Sequence, residues 1–178
     1  MRKIIVRYGL LGGLVVGAVL LLSMGYCYTS GRFESSMLLG YASMILAFSM
    51  IFVAVKTIRD KQLGGVISFG KAFKTGLLIA LVTSTVYVVV WLICYYIFVP
   101  DFMQKYSDYI IQKSKTEGLS AAEQADKVAS VQQYSVWYKN PLFVILFTYF
   151  EILPVGVLVS LIVALILKRK QPKQLAVA

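Results

Sequence analysis

Between Tyr8 and Gly31 the chain carries no Asp, Glu, Lys or Arg, and the same holds from Ser35 to Val55 and from Thr75 to Pro100. A fourth run, Asn140 to Leu167, is interrupted by one charge, Glu151. An α-helix needs roughly 20 apolar residues to cross a hydrocarbon core about 30 Å thick. Each run is long enough, so the pattern predicts four transmembrane helices, over 5–27, 36–56, 74–99 and 141–167. Lone strands are ruled out, because their backbone groups would go unpaired in lipid. The expected fold is all-α, a single membrane domain over 1–178.

Only the stretch 100–140 offers a sizeable segment outside the membrane, and its polarity is patterned. Phe102, Tyr106, Tyr109 and Ile110 recur at helical spacing until Gly118 breaks the rhythm. Ser120 to Glu123 then reads as a capping box, with serine oxygen and carboxylate each reaching the other's backbone N–H. Asn140 and Pro141 form an N-cap and first-turn pair for the last span. The segment 101–139 is therefore expected to be a helical hairpin between the third and fourth spans. Tyr106, Tyr109, Tyr134, Trp137 and Tyr138 are placed at headgroup level as an aromatic belt.

Composition agrees: 59% of the 178 residues are hydrophobic, well above the 45–50% usual for soluble domains. A net charge of +10 would suggest nucleic acid, but its distribution excludes that partner. With the N-terminus inside, the inner segments hold twelve Lys and Arg: Arg2, Lys3, Arg7, Lys56, Arg59, Lys61, Lys71, Lys74, Lys168, Arg169, Lys170 and Lys173. They face one acid, Asp60. Outside, the cations Arg32, Lys105, Lys113, Lys115, Lys127 and Lys139 balance Glu34, Asp101, Asp108, Glu117, Glu123 and Asp126. This positive-inside pattern expects both termini in the cytoplasm of a bacterial inner membrane. It also expects anionic lipid headgroups at the cytoplasmic face.

The first span is too long for a cleaved signal segment and lacks a small-residue cleavage site, so it reads as an anchor. Cys27 and Cys94 both fall near outer span ends, where pairing and plain packing are both open. There is no histidine and no Cys-x-x-Cys, so neither a zinc site nor a Ser-His-Asp triad can be assembled. No cofactor and no metal are expected.

Gly65, Gly70 and Lys71 match the spacing of a phosphate-binding loop. That chemistry needs a preceding strand and a Ser or Thr after the lysine to hold magnesium. Ala72 replaces the hydroxyl, and a membrane helix precedes the stretch, so no nucleotide site is expected. What remains is a bend at Gly64 and Gly65, Ser68 as a helix cap, and lysines at the inner headgroups. Lys71 and Lys74, beside Gly70 and Gly76, are candidate contacts for a lipid phosphate.

Two further features stand inside the spans. Gly9, Gly13 and Gly17 lie four apart on the first, a spacing that lets helix backbones approach closely. The partner, another helix of this chain or a second copy, is left open. Glu151 lies ten residues after Pro141, about 15 Å along its helix and near mid-membrane. A charge there costs at least about 2.5–3.5 kcal/mol, so the residue is expected to face the bundle in neutral form. Thr83, Ser84, Thr85 and Tyr87 lie at similar depth and are expected hydrogen-bond partners. Pro154 offers another, since it leaves the Phe150 carbonyl without its usual donor. Glu151 then reads either as a polar latch or as a proton or cation relay.

The segments "IFVAVKTIRDKQLGGVISFGKAFKTGL", "PDFMQKY" and "FEILPVGVLVSLIVALILKRK" resemble a bacterial family of four-span inner-membrane proteins, the domain of unknown function numbered four-one-nine-nine. The resemblance implies the same topology and no particular activity. Two functions stay in parallel. One is an accessory or scaffold subunit of a cell-envelope complex, and the other a small oligomeric transporter or proton-coupled carrier built on Glu151. The first expects a membrane-protein partner, the second a homo-oligomer. No catalytic set is visible, so an enzyme is not expected.

Overall fold

The computed structural model describes residues 1–33 and 37–169. Glu34, Lys170 and Lys173 of the charge pattern lie outside the described residues, as does the expected start of the second span at 36. The described residues form six α-helices: α1 Arg2–Ser30, α2 Met37–Gln62, α3 Phe69–Ile93, α4 Phe102–Thr116, α5 Ala121–Trp137 and α6 Pro141–Leu167. Four of them, α1, α2, α3 and α6, are long and apolar enough to cross a membrane, so the protein is a multi-pass membrane protein.

The helices outrun the charge-free stretches, because backbone hydrogen bonding continues into the basic flanks. α3 begins five residues before the expected 74, where the Ser68 side chain accepts from the Lys71 N–H at 3.4 Å. At its other end it passes into a π-helical turn, Cys94–Phe98, closed by the Val99 N–H on the Cys94 carbonyl at 2.9 Å. Pro100 follows and cannot continue the ladder. Gly64 and Gly65, both at positive φ, turn the chain between α2 and α3. The Arg169 N–H donates to the Ile67 carbonyl at 2.9 Å, tying the last described residue to that turn.

α3 is the central helix, packed on α1 along one side and α6 along the other, while α2 closes the bundle against α1 and α6. The glycine stripe of α1 lies against α3 of the same chain. A Cβ built on Gly9 would come within 2.6 Å of Val82, and one on Gly13 within 2.5 Å of Val86. The stripe faces Val82, Val86 and Val90, which repeat at the same interval of four. On the other side of α3, Gly76 meets Ser160 and Ile51, and Gly156 meets Ala80 and Phe48. The core so formed centres on Phe48, Ile51, Ile79 and Ile152, all fully buried. Small residues matter here because lipid tails supply no hydrophobic drive between helices, leaving close van der Waals contact to hold them.

α4 and α5 form the hairpin, with both arms of the Ser120–Glu123 capping box made: the Glu123 N–H on Ser120 Oγ at 3.4 Å, the Ser120 N–H on Glu123 Oε2 at 3.0 Å. Asn140 Oδ1 accepts from the Leu142 N–H at 3.0 Å to start α6. The hairpin is seated on the bundle by Phe102, whose ring meets Phe33, Trp91, Tyr95 and Tyr106 at centroid distances of 5.5–6.4 Å. Tyr106 and Tyr109 are half-buried in this seat, and Tyr134 and Trp137 are the more exposed members of the expected belt.

Candidate functional site

Glu151 comes from the middle of α6, where neighbouring positions are Phe150, Ile152 and Leu153. It is exposed on the side of the bundle, and no hydrogen bond or ion pair joins it to any described residue. None of the hydrogen bonds expected for it on α3 is made among the described residues. The hydroxyls expected to receive it are engaged elsewhere. Thr83 is turned to α1 and donates to the Gly9 carbonyl at 3.0 Å. Thr85 donates to the Leu81 carbonyl at 2.8 Å and pairs with the Tyr149 hydroxyl at 2.8 Å. Ser84 is fully buried, and its hydroxyl has no partner among the described residues. Pro154 is exposed, and α6 runs through it without a break.

Two phenols do lie within electrostatic reach of Glu151: Tyr87 on α3, expected from the sequence, and Tyr138 at the end of the hairpin, which was not. Burial first, and then the Glu151 charge, push the Tyr138 phenol up. Tyr138 and Tyr134 both rest on Phe147, at 6.2 and 6.1 Å, one helical turn before Glu151. Tyr134 also lines, with Tyr106, Lys113 and Lys127, a groove of about 370 Å³ between α4 and α5. Glu117 lies between those lysines, 2.9 Å from Lys127 and 3.4 Å from Lys113, and they hold its carboxyl below the usual range. The site is thus a mid-span acid with phenols above it, leading toward the hairpin. Sequence spacing could not place Tyr134 and Tyr138 there, because their position depends on the hairpin folding back over α6.

The other expected residues lie elsewhere. Gly70, Lys71 and Lys74 sit exposed on the first two turns of α3 at the basic end. Ala72 is fully buried, pointing its methyl into the core where a phosphate-binding loop would need an accessible hydroxyl. Cys27 and Cys94 are both buried free thiols. At the opposite end, Tyr28 donates to Asp101 at 2.6 Å, Lys105 pairs with the same carboxylate at 2.8 Å and stands 4.3 Å from the centre of the Tyr28 ring. Lys105, then Tyr28, hold Asp101 below the usual carboxylate range. This cluster fastens α1 to the start of α4.

The family model described as "Protein of unknown function (DUF4199)" matches residues 7–169, nearly the whole chain, and the chain belongs to that family. No curated protein and no solved structure matches it.

Proposed function

We propose that this member of the family is an accessory or scaffold subunit of a complex in the bacterial inner membrane. The observation that carries the reading is Glu151, exposed at mid-span with no hydrogen-bond or ion-pair partner among the described residues. Intramembrane acids cost at least about 2.5–3.5 kcal/mol unless something pairs with them, and they ordinarily face protein. A second membrane protein over that face supplies the missing cover. The packed glycine seams support the same reading, since they are consumed within the bundle and leave the Glu151 side as the surface for assembly. Crosslinking in native membranes and purification in mild detergent should give a stoichiometric adduct, lost in Glu151→Leu. Because Glu151 makes no hydrogen bond or ion pair among the described residues, the same variant should leave the Tm of the isolated protein unchanged. Recovery of the chain alone would sink the reading.

The phenols favour a second reading, a proton-coupled carrier in which Tyr138 and Tyr87 flank the acid. It expects flux in proteoliposomes that Glu151→Gln abolishes, and wild-type flux in that variant would remove it.

The proposed orientation puts the basic end in the cytoplasm, with both termini there and anionic headgroups against Lys71 and Lys74 beside Gly70. An impermeant thiol reagent applied to intact cells should label Lys127→Cys and leave Lys61→Cys untouched until the membrane is opened. The reverse pattern would invert the topology.

A further inference from the structure

The seam between α1 and α3 keeps one register along its length. Gly9 meets Val82, Gly13 meets Val86 and Gly17 meets Val90, each pair 73 positions apart, and the Tyr28 hydroxyl reaches Asp101 across the same interval. In that register Leu21 falls opposite Cys94, and Gly25 opposite Phe98. The seam is closed at Gly17, where an added Cβ would lie 3.3 Å from Val90, and open at Gly25, where it would meet nothing within 4 Å. Over the same stretch α3 passes into its π-helical turn, Cys94–Phe98, which widens the helix just where α1 presents a glycine. The result is a cleft of about 300 Å³, lined by Leu21, Met24 and Gly25 from α1 and by Cys94, Phe98 and Val99 from the end of α3. Leu21 and Phe98 are exposed, so the cleft opens on a flank of the spans that faces lipid. Tyr28 also lines it and carries a polar rim. Its hydroxyl donates to Asp101 Oδ1 at 2.6 Å, Lys105 pairs with Oδ2 at 2.8 Å, and Lys105 Nζ stands 4.3 Å from the centre of the Tyr28 ring. The Asp101 and Lys105 side chains are each 46% exposed, open to a further partner.

We infer that this cleft binds one phospholipid with an ethanolamine headgroup, its acyl chain between Gly25 and Phe98, its phosphate on Lys105 and its ammonium on Asp101. The site is separate from Glu151 and stands whether or not the protein is a subunit. The walls are apolar, and a helix, about 10–12 Å across with its side chains, is too wide for the space, whereas one hydrocarbon chain is not. The rim selects the headgroup. An ammonium has three N–H donors and a carboxylate accepts at about four positions, so Lys105 and Asp101 can each take a further partner without breaking their own pair. A glycerol headgroup brings the phosphate but no cation, and sets its charge beside the Asp101 carboxylate, 2.8 Å from Lys105. A choline headgroup brings the cation but no N–H to donate. Ethanolamine supplies both charges and the charge-assisted hydrogen bonds.

The test titrates the purified full-length chain in detergent with dioleoyl phosphatidylethanolamine or dioleoyl phosphatidylglycerol and counts bound lipids by native mass spectrometry. The first ethanolamine lipid should bind about tenfold tighter than the first glycerol lipid. Phosphatidylcholine with the same chains should fall to the glycerol level. Asp101→Asn, which keeps an oxygen for the Tyr28 hydroxyl, should remove the preference. Gly25→Leu enters open space, so it should keep the parent Tm within about 2 °C and weaken both lipids by filling the cleft. Equal binding of the two lipids by the parent, a preference that survives Asp101→Asn, or indifference to Gly25→Leu would each overturn the assignment. So would competition by soluble glycerophosphoethanolamine, which would make the rim alone the site. A dimer that Gly25→Leu disperses would also overturn it, by placing a second copy of the chain in the cleft.

Discussion

Replacing Gly13 by leucine should lower the Tm in detergent by about 6–12 °C, while the same replacement at Gly70 should stay within about 2 °C of the parent. At Gly13 even the first added carbon would lie 2.5 Å from Val86 Cβ and 2.7 Å from its Cγ1. Real Cβ atoms do not approach so closely, and Val86 cannot swing away, because a β-branched side chain in a helix has essentially one rotamer. The backbones of α1 and α3 must then separate. Overpacking of this kind costs about 3 kcal/mol, and each kcal/mol moves the Tm of a chain of this length by about 2–4 °C. The separation also stretches the hydrogen bond from Thr83 to the Gly9 carbonyl, 3.0 Å in the native bundle, so the two losses add. Gly70 has nothing within 4 Å of its added carbon, and leucine suits a helix better than glycine. Gly156→Leu should resemble Gly13→Leu, since its Cβ would lie 2.8 Å from both Ala80 Cβ and the Phe48 ring. Similar melting of Gly13→Leu and Gly70→Leu would show that the α1–α3 seam does not hold the bundle together.

The number of spans and the position of the hairpin were legible because both depend on length and polarity alone. Caps were legible too, since Ser68, Ser120 and Asn140 act within a few residues of themselves. The glycine stripe was legible as a packing face but not as a contact with α3, although Val82, Val86 and Val90 repeat at its interval. Orientation was the harder matter. A helix that is apolar all round carries no signal of which side is buried, so the depth of Glu151 followed from counting and its direction did not. The reasoning from cost turned it inward. The structure leaves its side chain exposed, because burial depends on which elements pack beside α6, and no residue of α6 encodes that. The anchoring role of Phe33 was hidden for a similar reason, as its partners lie on two different helices, Tyr28 on α1 and Phe102 and Tyr109 on α4.

Phe102→Ala should free the hairpin while leaving the four spans folded. Its ring is the one that touches the loop after α1 through Phe33, the end of α3 through Trp91 and Tyr95, and its own helix through Tyr106. The residue is half-buried, so its removal costs less than the 3–5 kcal/mol of a core phenylalanine, about 2 kcal/mol. That is enough to raise the open population of a two-helix segment roughly thirtyfold. Limited proteolysis should then cut between 101 and 139 at neutral pH, where the parent resists. Tyr28→Phe should act in the same direction but weakly, since Asp101 keeps Lys105 at 2.8 Å and both groups are open to water, where such pairs contribute little. The two variants also differ in their response to acid. The carboxyl of Asp101 is held below its ordinary value, so its contribution is present above the unfolded-state value and is lost as pH falls through the lower, folded one. Acid should therefore loosen the parent hairpin at its Tyr28 contact and add less to the loosening in Tyr28→Phe. Phe102→Ala should be cut at every pH, because ring packing does not titrate. If Phe102→Ala proved as resistant as the parent at neutral pH, the hairpin would be held by its own two helices and the aromatic seat would not be what joins it to the bundle.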